Sequence, residues 1–269
     1  MDNYKENREK SNLPVISYSK LGTYKTCPRQ YKFGYIDKLP KLDKPFLSFG
    51  SASHASLEKF HKEILAGCKD PIDQIMRRSF LEMKKEWEPK LTSEQIMEIF
   101  KIMQQYLDTL DPDKLPNVTH VEKKIWTTLD DSIIFCGFID KVQTDDDGII
   151  HVVDYKTTKD PKYLKDRTQL LLYAYTLHLE NPEITKFRTS FTLLKHEMKS
   201  LVAEHEIPEL LKAKDKLIAD WNVVEMDKLL RATPMAWKCK YCDFIEYCKE
   251  GKALIHGVAT KPAYGKVNW

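Results

Sequence analysis

The spacing of apolar residues changes period along this chain. From about Phe49 to Leu65, Leu57, Phe60, Ile64 and Leu65 recur at helical intervals, and two more helical stretches follow near 72–88 and 94–109 before DPDKLP closes the block. The pattern then shortens to a period of two. Strands are predicted at about 118–129, 132–143 and 149–156, with Asp145-Asp146-Asp147-Gly148 as the hairpin turn between the last two. An amphipathic helix is predicted from about Tyr163 to Leu179, strands over Thr189 to Leu194 and Leu201 to Glu206, and a helix over 208–230. Upstream, residues 1–16 read as a disordered or loosely attached arm. Ser17 and Ser19 are candidate N-caps for a short helix, SKLGTYKTC, which Pro28 interrupts, and RQYKFGYI reads as a second helical segment. Pro40 and Pro45 bracket a linker. The result is an α/β chain with a helical insertion at 66–115 and a single domain over 17–269. No internal repeat or low-complexity tract interrupts it.

Composition adds little to that picture. The 269 residues are 42% hydrophobic and 31% charged, as in an ordinary globular chain, and a net charge of +3 does not establish a nucleic-acid partner. Local charge is more informative, since the first 45 residues hold ten Lys or Arg against five Asp or Glu. No apolar run is long enough to span a bilayer, and MDNYKENREKSN lacks the apolar core of a secretory signal, so a cytoplasmic, reducing setting is expected. In that setting clustered cysteines are metal ligands or redox groups more often than disulfides. Cys239, Cys242 and Cys248 form C-x2-C-x5-C, and Cys27 lies far upstream, while Cys68 and Cys136 read as small buried hydrophobes.

Candidate chemistry concentrates in GFIDKV and HVVDYKTTK. Alternation along a strand sends Asp154 and Lys156 to one face and Tyr155 to the other. Two carboxylates about 4 Å apart repel by roughly 4 kcal/mol at an effective dielectric near 20, which Asp140 and Asp154 can relieve through a divalent cation with oxygen ligands. Lys156 then stands ready to act on a water at the ion. His54, in the small-residue run FGSASHASLEKF, is a further candidate ligand. Glu58 lies one turn along, able to steady His54 or touch an ion through water. Gln169 and Tyr173, in QLLLYAY, fall one turn apart on the next helix and can point back over the site. Lys156, Lys159, Lys162, Lys165 and Arg167 can follow a phosphate backbone, making binding salt-dependent.

Together, His54, Asp140 in GFID, Asp154 and Lys156 in DYK, and Gln169 with Tyr173 in Q-x3-Y resemble the RecB-type branch of the PD-(D/E)XK nuclease superfamily. SYSKLGTYKTCP resembles that branch's S-x-S-x-L-x-x-Y-x-x-C-P entry helix. Cys27 with Cys239, Cys242 and Cys248 is similar to the iron–sulfur subset, which includes the AddB nuclease domain, the CRISPR-associated adaptation exonucleases and phage-encoded relatives. The first acidic motif lacks the superfamily's Pro, and Asp154 stands where Glu is frequent. The resemblance implies a restriction-endonuclease-like core with a mixed central sheet flanked by helices, a stand-alone nuclease domain, and a C-terminal segment at 237–250 that closes onto Cys27. It implies Mg²⁺ or Mn²⁺ on His54, Asp140, Asp154 and the Tyr155 carbonyl, with Lys156 orienting or deprotonating the attacking water. Hydrolysis of DNA, single-stranded or frayed, would follow, leaving 5′-phosphate ends. The four cysteines would hold a [4Fe–4S] cluster, with structural Zn²⁺ as the alternative. Tyr18, Tyr24, Tyr31, Phe33 and Tyr35 lie near that clasp as core or base-stacking rings.

Two other readings compete. One is a nucleic-acid-binding iron–sulfur or zinc module with a vestigial nuclease site. The other is a CRISPR-adaptation-type trimming subunit that depends on partner proteins; replication or recombination proteins are further candidate partners. Host cytoplasm is the expected location if the chain is phage-encoded.

Overall fold

The computed structural model describes residues 12–42, 45–111 and 114–256. The chain divides into two compact units, one of residues 1–15 and 44–217 and a second of 16–43 and 218–269. The second unit is thus discontinuous in sequence, where a single domain from residue 17 was expected. Residues 1–11 of the expected N-terminal arm lie outside the described residues. Its last two residues, Val15–Ile16, form a short strand, β1, through which the division between units runs.

The first unit is built on a sheet. Its strands are β2 (Asn117–Leu129), β3 (Ile133–Thr144), β4 (Ile150–Lys156), β5 (Lys186–Leu193) and β6 (Lys199–Glu206). The order β3-β4-β5-β6 is mixed: β4 and β5 are parallel, β3–β4 and β5–β6 antiparallel, and β1 and antiparallel β2 both pair with β3. The expected hairpin between β3 and β4 forms where Gly148, at a φ of +81°, donates its N–H to the Asp145 carbonyl at 2.9 Å. Arg188 on β5 then ties that hairpin to β6 by pairing with Asp145, Asp147 and Glu204.

Helices of this unit are α3 (Pro45–Leu65), α4 (Ile72–Trp87), α5 (Ser93–Asp108) and α6 (Thr168–Glu180). Thr92 and Gln95 start α5 with a reciprocal capping box. Leu57 and Phe60 of α3, Ile75 and Met83 of α4, and Ile99 and Met103 of α5 join Val153 and Tyr155 of β4 in one buried cluster. The helical insertion therefore packs on the sheet face that Tyr155 occupies. α6 supplies the crossover that parallel β4 and β5 require. It begins at Thr168, later than expected, because Pro161 opens a separate 3-10 turn over Pro161–Tyr163.

In the second unit, α1 (Tyr18–Thr26) is capped by Ser17, whose Oγ accepts from the Lys20 N–H at 3.1 Å. Pro28 opens α2 (Pro28–Tyr31), which continues into a π-helical turn over Lys32–Ile36. α7 (Ile207–Met226) contains the other unit boundary, and α8 (Ala236–Cys239) and α9 (Lys249–His256) follow. Tyr31 is buried between Tyr24 and Tyr35, so the upstream rings pack largely on one another. Among the described residues no helix is long and apolar enough to cross a membrane.

Candidate active site

The site originates in a parting of two strands. The β3–β4 ladder ends at the pair Lys141 and Val153, so Asp140 and Asp154 lie one step beyond it. Past that point β4 stays paired with β5 through Lys156, whose carbonyl accepts from Leu194 N–H at 2.9 Å. The Tyr155 N–H has no β3 carbonyl opposite it, and the Asp140 carboxylate takes that place: Oδ2 accepts from it at 2.7 Å. The carbonyl of a strand residue points to the same side as its own N–H, so the Tyr155 carbonyl also faces this opening.

α3 brings His54 to the same carboxylate, with Nδ1 at 3.3 Å from Asp140 Oδ2. Burial alone would lower the His54 pKa. Its contact with Asp140, and the charge of Asp154, outweigh burial and hold it above the ordinary value. Gly50, one turn earlier, faces the strand end, where a Cβ would stand in ordinary contact, 3.4 Å from Thr157 Oγ1.

Asp154 is only 5% exposed, and desolvation, reinforced by Asp140, raises its pKa against the opposing pull of Lys156 and His54. Lys156 Nζ lies 2.6 Å from Asp154 Oδ2 and pairs with it. Gln169 and Tyr173 of α6 bond to one another, with Gln169 Nε2 donating to the Tyr173 hydroxyl at 2.9 Å. Gly137 of β3 makes room for that ring, since a Cβ there would stand 3.0 Å from the hydroxyl. Burial, then the charges of Asp154 and Asp140, raise the Tyr173 pKa.

His54 with Asp140, and Lys156 with Asp154, thus form two pairs around one opening. Among the described residues no three His, Cys, Asp or Glu side chains stand ready to enclose an ion. The donor set is one imidazole, two carboxylates and a carbonyl, which suits a hard divalent cation. The repulsion between Asp140 and the buried Asp154, which adds to burial in raising the Asp154 pKa, is what such an ion would relieve.

Several expected roles shift. Glu58 pairs with Lys62 on its own helix, not with His54. Arg167 donates to the Leu201 carbonyl at 2.8 Å, which fastens the start of α6 to β6 and takes it out of a phosphate track. Two groups escaped sequence reasoning. Glu122 of β2 sits between the ladder pairs Val121–Lys141 and Lys123–Ile139, hence opposite Asp140. Its φ of +48° breaks the strand geometry and turns it into the cleft lined by His54, Glu58 and Asp140. Burial, then Asp140 and Glu58, push its pKa up to about 7.

The second group lies beneath Tyr155. Its hydroxyl and that of Tyr106 both meet His61 Nε2, at 3.0 and 2.9 Å, and Lys141 Nζ donates to Tyr106 at 3.2 Å. His61 is fully buried, which with Lys141 nearby drives its pKa well below the ordinary value. Each element of the site sends one residue here: α3 carries His54 and His61, β3 carries Asp140 and Lys141, and β4 carries Asp154 and Tyr155. No local pattern in the sequence announces either group, because both depend on register and long-range packing.

In the second unit, Cys27, Cys239, Cys242 and Cys248 line one cavity with Arg29, Phe33, Ile245 and Gly251. All four are free thiols. The Thr233 and Gly251 N–H groups point at Cys27 Sγ and Cys248 Sγ, at 3.5 and 3.3 Å. A Cβ on Gly251 would meet Ile245 Cδ1 at 2.8 Å and Cys248 Sγ at 3.4 Å, so the approach to the thiols depends on that glycine. Burial, then the neighbouring Cys27, Asp243 and Cys239 groups, raise the Cys242 pKa.

Comparison with known proteins bears on the fold and the family. A solved structure from Eubacterium rectale, whose designation as an exonuclease is itself provisional, is similar at 12% identity and a TM-score of 0.52, covering 98% of this chain and 96% of its own. The crystal structure of SSO0001 matches at 14% identity and a TM-score of 0.41, covering 92% of each chain. No curated protein matches by sequence. The PD-(D/E)XK nuclease superfamily matches residues 15–249, most of the chain, and with a mixed sheet whose parting strands carry Asp140, Asp154 and Lys156, this chain belongs to that superfamily.

Proposed function

We propose that the chain is a metal-dependent deoxyribonuclease that digests DNA from ends, acting on single strands or frayed termini. The observation that carries this reading is the opening between β3 and β4, where Asp140, Asp154 and Lys156 converge with His54. A divalent Mg²⁺ or Mn²⁺ on His54, Asp140, Asp154 and the Tyr155 carbonyl would supply the Lewis acid that polarises the phosphoryl oxygen. Lys156 has a different task. Held beside Asp154, its ammonium keeps donors to spare for orienting an attacking water. Gln169 and Tyr173 hold one another on the helix that follows β4 and would limit how far the phosphate can move.

The cysteine cavity supports a second part of the proposal, a structural [4Fe–4S] cluster on Cys27, Cys239, Cys242 and Cys248. Four thiols with N–H groups aimed at two of them are a donor set that such a cluster accepts, as Zn²⁺ would. Within this reading the chain works in recombination, repair or CRISPR adaptation.

Digestion of 5′-labelled and 3′-labelled single-stranded DNA with Mn²⁺, comparing the natural chain with Lys156→Ala, tests the catalytic part. Stepwise shortening that falls by at least about 100-fold in the variant, with DNA binding retained, is expected for loss of a group acting on the nucleophile. Equal rates in both proteins would remove Lys156 from the chemistry, and internal cuts without shortening would make the enzyme an endonuclease.

A further inference from the structure

We infer that Trp237 and Tyr241 form a stacking platform for an unpaired nucleic-acid strand on the outer face of the cysteine-bearing segment, a surface that adds to the nuclease reading above and rests on it. Trp237 is 65% exposed and Tyr241 61% exposed, although large aromatic rings normally find cover. They stand four residues apart where α8 runs into its closing turns, with Lys240 N–H bonded to the Ala236 carbonyl and Tyr241 N–H to that of Lys238. Neither ring lines the thiol cavity, which Cys239 and Cys242 do.

Charge identifies the occupant. Lys238 Nζ lies 5.3 Å from the Trp237 ring centre and Lys240 Nζ 5.7 Å from that of Tyr241, so each exposed ring has an ammonium against it. Lys238 also lines the thiol cavity and donates to the Thr26 carbonyl at 3.1 Å, so Lys240 is the cation that stands clear of it. From Lys228 to Cys242 the chain carries Lys228, Arg231, Lys238 and Lys240 and no Asp or Glu. The flanking acids are engaged or turned inward. Asp227 accepts from Tyr24 and from the Leu229 and Leu230 N–H groups, Asp243 has its Oδ1 buried, and Glu246 pairs with Lys252. Two exposed π-faces, each with an ammonium beside it and both cations between them in sequence, match stacked bases joined by phosphates. They do not match a lipid surface or an apolar helix, which would need a continuous apolar stripe.

The test measures fluorescence anisotropy of labelled oligothymidylate, roughly 15 nucleotides long, bound to the full chain without added divalent cation so that nothing is cut. Trp237→Ala and Tyr241→Ala should each weaken binding by about tenfold, the effect of losing one stacked base, while Trp237→Phe keeps most of the affinity. Lys238→Gln with Lys240→Gln should flatten the dependence of log affinity on log salt by about 0.7 for each phosphate that is no longer neutralised. Equal affinity of the parent and both alanine variants overturns the proposal. So does an effect confined to binding of phosphatidylserine vesicles, which would make the surface a lipid site. Cleavage of the same oligonucleotide with Mn²⁺ is scored separately. A protein that binds through Trp237 and cuts nothing keeps this inference and discards the nuclease reading.

Discussion

Glu122 shows how strongly a single residue can depend on context that its neighbours in sequence do not reveal. In an alternating strand it reads as a solvent-facing glutamate. In the fold it stands opposite Asp140, half-buried, with its pKa pushed up to about 7 by burial and by the acids around it. A carboxyl whose pKa is raised on folding binds its proton more tightly in the folded state. Between its ordinary pKa of 4.5 and about 7 the unfolded chain therefore gives up a proton that the folded chain keeps, and stability falls as pH rises through that window. Glu122→Gln removes this penalty. Melting temperatures of the metal-free proteins should be nearly equal at about pH 5 and separate in favour of the variant by about pH 8. Mn²⁺ should then narrow the gap, since a cation at Asp140 offsets the same repulsion. A gap that is identical at both pH values would refute this account of Glu122. The residues that sequence did expose, His54, Asp140, Asp154 and Lys156, were visible because their type and spacing are tied to strand alternation and to one helix. Glu122 was hidden because the positive φ that turns it inward has no glycine to mark it.

At the scale of elements, strand and helix identities were mostly legible, since period two and period 3.6 are properties of local windows. What local windows cannot show is how α3, β3 and β4 are held at the distances the site needs. The buried cluster of His61, Tyr106, Tyr155 and Lys141 supplies that. Tyr155 lies between Asp154 and Lys156 in sequence, and its N–H meets Asp140, so a shift of its ring moves the carbonyl and both acids together. Removing one member leaves buried hydroxyls without a partner, at a cost of roughly 1–3 kcal/mol per unsatisfied group. His61→Leu is therefore expected to lower stability by about that amount. Tyr106→Phe, which leaves His61 bonded to Tyr155, should cost less. Positioning has its own signature. Both variants should raise the Mn²⁺ concentration that half-saturates cleavage, several-fold for His61→Leu, with a smaller change in the rate at saturating metal. If stability falls but the metal requirement stays where it was, the cluster is a core element and nothing more.

For the whole molecule, sequence reading is weakest where the chain leaves a unit and returns. Residues 16–43 and 218–269 make one unit, with most of the other lying between them in sequence, and no composition shift marks either crossing. The single long-range clue was the cysteine spacing, because a thiol at 27 has no local partner while three lie at 239, 242 and 248. The fold gathers all four around one cavity within the second unit. A cluster on them would close a loop of more than two hundred residues and restrict the unfolded chain accordingly, worth about 5 kcal/mol by the chain-entropy account. The first unit has its own sheet and its own buried helical cluster, so it does not draw on that closure for its core. Cys239→Ser should accordingly act on one unit. Protein purified without oxygen should contain about four iron and four sulfide per chain and be brown, and the variant should lose both. Limited proteolysis of the variant should then cut first within 16–43 and 218–256 while a fragment spanning 45–217 persists. Stoichiometric zinc in a colourless natural chain would replace the iron–sulfur cluster with a zinc site and leave the proteolysis prediction intact. Unchanged protease resistance in Cys239→Ser would show that the two segments are held by packing such as Phe33 on Phe244, with the thiols as bystanders.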